Sequence, residues 1–205
     1  MPKSTFSEAE IYLLKNWPSA CRLEEAMNRV RHEKYTTIIQ KVAVLLVDQL
    51  GKDEYRQEVY PTQRWDDGFF YFWVDKWGKS VGETREVPYF CLGGLRLENL
   101  LSDSNDTEPP YACVYAKYLR KAGWDLGRFR DKLNSSATTI LKGFPKRGGE
   151  DENSPICYYM PEGRAELRRL LIEDEEGFIG ALISQGMRLA ELAPIVTQVL
   201  AGRKK

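Results

Sequence analysis

A run of aromatic residues in the middle of the chain constrains the fold most. Residues 69–77 read Phe-Phe-Tyr-Phe-Trp-Val-Asp-Lys-Trp, a composition that favours a β-strand. Because side chains alternate across a strand, the run has two faces. The purely apolar face comprises Phe70, Phe72 and Val74. The other face, whose rings partly carry polar atoms, comprises Phe69, Tyr71, Trp73 and Trp77. At least one face must be buried, so the chain needs a sheet covered by helices.

Three further segments have the composition of strands. Residues 55–60 precede the aromatic run, residues 85–92 follow it after a glycine-containing turn, and residues 156–160 lie far along the chain. Pro88 cannot donate a hydrogen bond to a neighbouring strand, which predicts an edge strand or a bulge there. The sequence therefore predicts a small mixed or antiparallel sheet of about four strands.

Helical periodicity dominates both ends of the chain. Ser7 and Glu10 have the spacing of a capping box, which predicts a helix start. The first 51 residues predict three short helices, and helical spacing returns from residue 161 onward. The second predicted helix has an apolar stripe, which we expect to lie on the core. The stripe comprises Leu23, Ala26, Met27 and Val30.

Helical spacing also occurs between the third and fourth predicted strands. Pro109 and Pro110 are suited to the first turn of a helix, and the apolar residues after them recur at steps of three and four. These residues are Tyr111, Val114, Tyr115, Tyr118 and Leu119. We therefore expect a helix over this segment.

Together these patterns predict an α+β protein with an N-terminal three-helix segment, a sheet with helices packed on it, and C-terminal helices. The sequence contains no internal repeat and no clear linker, so we expect one compact domain over residues 1–205. Within it, residues 1–51 form the helical N-terminal part, 52–160 the sheet-containing core, and 161–205 the C-terminal helices.

Charge and cysteine content limit the cellular compartments and the classes of partner that fit the sequence. The chain has 30 acidic and 30 basic side chains, so it is not a strongly basic nucleic-acid binder. Residues 1–6 lack the pattern of a signal peptide, and the apolar runs are too short to predict a membrane span. The four cysteines lie far apart without paired spacing, which favours buried thiols over a zinc or redox motif. We expect a cytoplasmic protein without membrane contact.

Histidine content and motif content argue against an enzyme. His32 is the only histidine, and its charged helical surroundings indicate an exposed side chain rather than a proton shuttle. The sequence has neither a phosphate-binding glycine loop nor a dinucleotide fingerprint. We therefore expect no cofactor and no catalytic residue.

One enzymatic alternative stays open. The order helix, three strands, helices, strand resembles, in topology alone, the core of restriction-endonuclease-like nucleases. That resemblance implies clustered carboxylates that bind magnesium and a lysine two residues after one of them. The candidate metal ligands are Asp66, Asp67, Asp75 and Glu86. The lysine is missing at that spacing, because Lys76 directly follows Asp75.

The polar face of the aromatic strand is the candidate binding surface. Exposed tyrosine and tryptophan rings anchor protein partners or stack on unpaired bases, and nearby basic residues suit the second use. The aromatic members are Tyr71, Trp73 and Trp77, and the basic members are Arg64, Lys76, Lys79 and Arg85. The opposing interpretation is that helices cover both faces and that these rings belong to the core.

The functional hypothesis that follows is a non-catalytic regulatory protein acting through protein–protein contact. The alternative is a nucleic-acid-associated protein using the aromatic and basic surface, with an unusual metal-dependent nuclease as its enzymatic form. The sequence specifies neither the partner nor the oligomeric state.

Overall fold

The fold contains one antiparallel sheet of five strands. The computed structural model describes residues 7–60, 69–81, 87–104, 107–120, 123–139, 142 and 153–202. The strands are β1 (Tyr55–Tyr60), β2 (Phe69–Val74), β3 (Tyr89–Gly93), β4 (Tyr111–Tyr115) and β5 (Ile156–Tyr159). Their spatial order is β1-β2-β3-β4-β5, so each strand pairs with its neighbours in sequence. The predicted α+β class is confirmed.

Helices precede, interrupt and follow this sheet. They are α1 (Glu8–Lys15), α2 (Trp17–Arg29), α3 (Thr36–Leu50), α4 (Asp75–Val81), α5 (Leu97–Leu101), α6 (Leu126–Ala137), α7 (Gly163–Glu173), α8 (Glu175–Ala190) and α9 (Ala193–Ala201). A π-helical turn, Val30–Tyr35, joins α2 to α3, and a 3₁₀ turn, Lys117–Arg120, follows β4. Ser7 and Glu10 form the predicted capping box at the start of α1.

The helix predicted after Pro110 is wrong, because residues 111–115 form strand β4. Ala112, Cys113 and Val114 are all buried, so this strand has apolar side chains on both faces. A short apolar run of this kind fits the helical period as well as the strand period, and periodicity alone does not separate them. Its central place in the sheet decides the conformation, since β4 pairs with β3 on one side and β5 on the other.

The aromatic strand β2 is shorter than predicted, and the strand after Pro88 lies inside the sheet and not at its edge. β2 ends at Val74, and Trp77 belongs to α4, which begins at Asp75. An acidic residue in the first turn favours a helix start. The edge position predicted for the strand containing Pro88 is also wrong, since β3 is central. Pro88 directly precedes β3, so its missing N–H removes no bond from the sheet.

One face of the sheet, here called the inner face, lies under α3 and α8. Phe70, Phe72 and Phe90 are fully buried there, which confirms the predicted core face of β2. α3 and α8 also pack on each other, and a methyl group at Gly186 would overlap the side chain of Leu46. The missing Cβ at residue 186 therefore lets the two helices approach closely.

The segment Glu175–Ala201 is long and apolar enough to span a membrane by length and composition. In the fold, 56% of its most apolar window is buried, as expected for a core helix. Phe178, Leu182 and Leu189 supply this burial on the sheet side. The apolar character of α8 and α9 is thus explained by packing.

The first two helices do not lie on the core. α2, the π-helical turn and α3 follow one another without interruption from Trp17 to Leu50. The α3 part contains five buried residues, whereas α1 and α2 contain none. The expectation that the stripe of Leu23 and Met27 is covered by the core is therefore wrong. Amphipathic spacing specifies an apolar stripe, but it does not specify what covers it.

Substitutions at two glycines of α8 test the close approach of α8 to Leu46 of α3. We expect Gly186→Ala to lower the free energy of unfolding by about 1 to 3 kcal/mol, because steric overlap outweighs the gain in helix propensity. Gly180→Ala is the matched control, since no other group lies within 4 Å of a Cβ there. We expect that variant to be more stable by about 0.5 to 1 kcal/mol. Urea unfolding measures both; equal effects would contradict the packing.

Candidate functional site

The face of the sheet opposite α3 and α8, here called the outer face, has a row of cysteines across its centre. Cys91 of β3 is paired with Cys113 of β4, and Cys113 is paired with Cys157 of β5. Tyr71 of β2 continues the row on the other side of Cys91. The three thiols are 7%, 2% and 3% exposed and form a second apolar cluster, separate from the main core.

Aromatic rings cover and flank this cysteine row. Tyr89 lies at their centre, with its ring centroid 4.6 Å from that of Tyr71 and 5.0 Å from that of Tyr115. Phe69 stacks on Tyr71 at 5.5 Å, and Tyr118 meets Tyr115 at 6.3 Å. Most of these rings are half-buried. The outer face therefore shields its own thiols with aromatic side chains.

Two hydroxyl groups of this face differ in their surroundings. The Tyr71 hydroxyl donates to the Glu58 carboxylate of β1 at 2.9 Å. The pKa of Tyr89 is raised well above its usual value, first by burial and then by neighbouring groups, including Tyr115. Tyr89 therefore stays protonated and does not act as a base at neutral pH.

The structure brings two of the predicted aromatic residues together and separates the third. Tyr71 and Trp73 are half-buried, with ring centroids 6.2 Å apart, and Trp73 also packs against the main core. Trp77 is 1% exposed and its indole N–H donates to the Thr197 hydroxyl at 2.9 Å. Trp77 thus belongs to the core and does not face solvent.

Most of the predicted basic and acidic site residues lie outside the described part of the chain. Lys76 is exposed on α4, while only the backbone of Lys79 is described. The residues outside the described ranges are Arg64, Asp66, Asp67, Arg85 and Glu86. Asp75 is half-buried and forms an ion pair with Arg56 of β1 at 3.2 Å. Within the described ranges, no group of three His, Cys, Asp or Glu residues could hold a metal ion.

The second candidate site is the apolar surface of α1 and α2, here called the arm. Its large apolar side chains are 45% to 67% exposed. They are Tyr12, Leu13, Leu14, Trp17, Leu23, Met27 and Val30. Ala20, Leu23, Met27 and Val30 recur at helical spacing and form one stripe along α2 and the start of the π-helical turn, whereas Tyr12 lies on the separate helix α1. The arm therefore presents the kind of face that a helix normally buries.

The base of the arm is fixed to the domain by polar contacts. The Arg31 guanidinium pairs with the Glu98 carboxylate, which Arg96 also contacts at 3.1 Å. Partial burial acts to raise the pKa of Glu98, but a backbone hydrogen bond and the two guanidiniums outweigh it and hold that pKa below its usual value. The buried Tyr35 hydroxyl donates to the Leu95 carbonyl. These contacts orient α2 at its C-terminal end.

Sequence reasoning missed the cysteine row, although a signal for it exists. Tyr89 and Cys91 are two residues apart, as are Tyr111 and Cys113, so each pair shares one face of its strand. The repeated spacing predicts a face of tyrosines and cysteines once both segments are strands. Assigning 111–115 to a helix concealed it.

Comparison with known proteins gives no match to a family model, to a curated protein or to a solved structure.

Tyr35 provides a test of the contacts at the base of the arm. Burial, and then the charge of Glu98, raise its pKa far above the usual value. Above about pH 10 the unfolded chain loses this proton while the folded chain keeps it, so the stability falls as the pH rises. We expect Tyr35→Phe to reduce the loss of stability between pH 10 and pH 11 by about 1 kcal/mol, because the unfolded tyrosine is only half ionised at pH 10. Urea unfolding at several pH values measures the slope. The lost hydrogen bond changes stability equally at every pH. An unchanged slope would therefore contradict the raised pKa of Tyr35.

Proposed function

We propose that the protein acts without catalysis, through protein–protein contact, and that the arm is the element of contact. The observation that carries this proposal is the exposed stripe formed by Leu23 and Met27 of α2 and by Val30, the first residue of the π-helical turn. Amphipathic helices use anchors at i, i+4 and i+7 to bind apolar surfaces of partner proteins. The occupant that we propose for this stripe is the arm of a second copy of the chain.

The extent of the exposed apolar surface supports a stable contact. The seven large side chains of the arm together expose on the order of 700 Å², judged from the area that such side chains bury. A standard protein–protein interface takes about 800 Å² from each partner. The arm as a whole, and not its stripe alone, therefore exposes nearly the area that one copy must contribute.

Charges beside the stripe support an antiparallel arrangement. Glu24 and Arg31 are seven residues apart and lie on the same border of the stripe. When two helices pack antiparallel, like borders meet, so Glu24 of each copy approaches Arg31 of the other, whose guanidinium also pairs with Glu98 of its own chain. A parallel pair offers no such match. The mixed charge of α2, with Arg22 and Arg29 beside Glu24 and Glu25, gives phosphates or anionic lipids little attraction.

A reducing compartment fits this proposal, and we place the protein in the cytoplasm. None of the four cysteines forms a disulfide bond, although three of them face one another across the sheet. Thiols in such positions persist where cellular reductants keep them reduced. A regulatory role would follow if the arm exchanged a second copy for another apolar partner.

Self-association of the full chain tests the proposal. We expect the parent protein to form a dimer and Met27→Glu to raise its dissociation constant by about 10- to 100-fold, which corresponds to about 1.4 to 2.8 kcal/mol. Asn28→Glu is the matched control, because it adds the same charge to the adjacent exposed position outside the stripe. Sedimentation equilibrium measures the constants, and thermal unfolding confirms that both variants are folded. A parent protein that remains monomeric at 100 µM, or equal weakening by both variants, would overturn the proposal.

A further inference from the structure

The cysteine row brings together thiols that the sequence keeps far apart. Cys91 and Cys113 are directly opposite on neighbouring antiparallel strands, and Cys113 and Cys157 are opposite in the same way. Residues in such positions have Cα atoms about 4.5 or 5.5 Å apart, depending on the hydrogen-bonding of the pair. Both values lie within the range of about 4.4 to 6.8 Å that disulfide bonds require.

We propose that this row is a reversible thiol oxidation site, in which a peroxide converts Cys91 and Cys113 to a disulfide between β3 and β4. Cys113 is central, with a thiol on each side of it. Among the three, Cys91 has the largest exposed fraction, 7% against 2% and 3%, and a small oxidant therefore reaches it first. Cys113 then acts as the resolving thiol.

The chemistry balances with hydrogen peroxide as the oxidant. The Cys91 sulfur attacks one peroxide oxygen, the O–O bond breaks, and a sulfenic acid and one water molecule form. The Cys113 sulfur then attacks the Cys91 sulfur, the S–O bond breaks, and a second water molecule leaves as the disulfide forms. Two thiols lose two protons and two electrons, and the peroxide takes them up and is reduced to two water molecules. Two molecules of a low-molecular-weight thiol reduce the disulfide back to two thiols by exchange and are themselves joined as a disulfide.

The surroundings of the row favour a disulfide over further oxidation of Cys91. Tyr71, Tyr89 and Tyr115 pack against the thiols and restrict larger reagents. The opposing thiol is held by the strand register, so it traps the sulfenic acid without diffusion. The product links the two central strands of the outer face beneath the aromatic rings.

The test uses the full-length parent protein, which is treated with a small excess of hydrogen peroxide, alkylated and digested without reductant. Mass spectrometry identifies the linked peptides. We expect the Cys91–Cys113 peptide pair to dominate and to form at least tenfold faster in the folded protein than in denaturant. Dithiothreitol should remove it. Its absence from the oxidised folded protein, or an equal rate in denaturant, would overturn the proposal.

Single alanine variants assign the roles. Cys113→Ala should abolish the linked pair and leave Cys91 as sulfenic or sulfinic acid, whereas Cys157→Ala should retain the pair. Cys21→Ala is the control, because Cys21 lies on α2, away from the sheet. Should Cys113→Ala fail to fold, the comparison of folded and denatured parent protein still decides the question. A dominant Cys113–Cys157 pair, or any dominant pair with Cys21, would contradict the assigned pairing.

Discussion

The contact between Leu46 of α3 and Gly186 of α8 determines how the sheet is covered. The missing side chain at Gly186 leaves space that Leu46 occupies, so two helices distant in sequence lie side by side on the inner face. Phe70, Phe72 and Phe90 are buried beneath them. Core packing of this kind is sensitive to a single methyl group. The position of α3 then sets the direction of α2 and of the π-helical turn, which continue into it.

Two surfaces follow from this arrangement. Because α2 continues directly into α3, the helix leaves the core where the buried positions of α3 end, and the arm extends beyond the sheet. Because α3 and α8 cover the inner face, the three cysteines of β3 to β5 and the tyrosines packed against them lie on the opposite side. The arm has an apolar stripe that the domain leaves exposed, whereas the outer face shields its thiols with its own rings. These differences are why we propose protein contact for the first and thiol chemistry for the second.

Local patterns predicted local structure, and they failed where distant segments decide the outcome. The faces of β2 were predictable, because alternation separates Phe70 and Phe72 from Tyr71 and Trp73. β4 was not, since its apolar run fits two periods and its neighbours in the sheet settle the conformation. Trp77 lies beyond the strand because a helix starts at Asp75. Its indole N–H donates a hydrogen bond to the hydroxyl of Thr197, a residue far along the chain.

For the candidate sites too, local sequence patterns were not sufficient where distant segments determine the structure. The stripe of Leu23, Met27 and Val30 was visible in the sequence, but its exposure depends on where α3 meets the sheet. The Tyr-x-Cys spacing assigns Cys91 and Cys113 each to one face of its strand, but only the register of three strands brings Cys91, Cys113 and Cys157 opposite one another. Of the predicted aromatic surface, Tyr71 and Trp73 stay at the sheet surface, whereas Trp77 is in the core.

We propose that one continuous helix is buried over α3 and left uncovered over α2 until a second copy binds. Amide hydrogen exchange of the full chain at a series of protein concentrations measures this directly. We predict strong, concentration-independent protection for Ile39 to Val47 and weak protection for Leu23 to Val30 in dilute protein, which increases as the concentration rises. Protection of Leu23 to Val30 that is the same at every concentration would contradict the account.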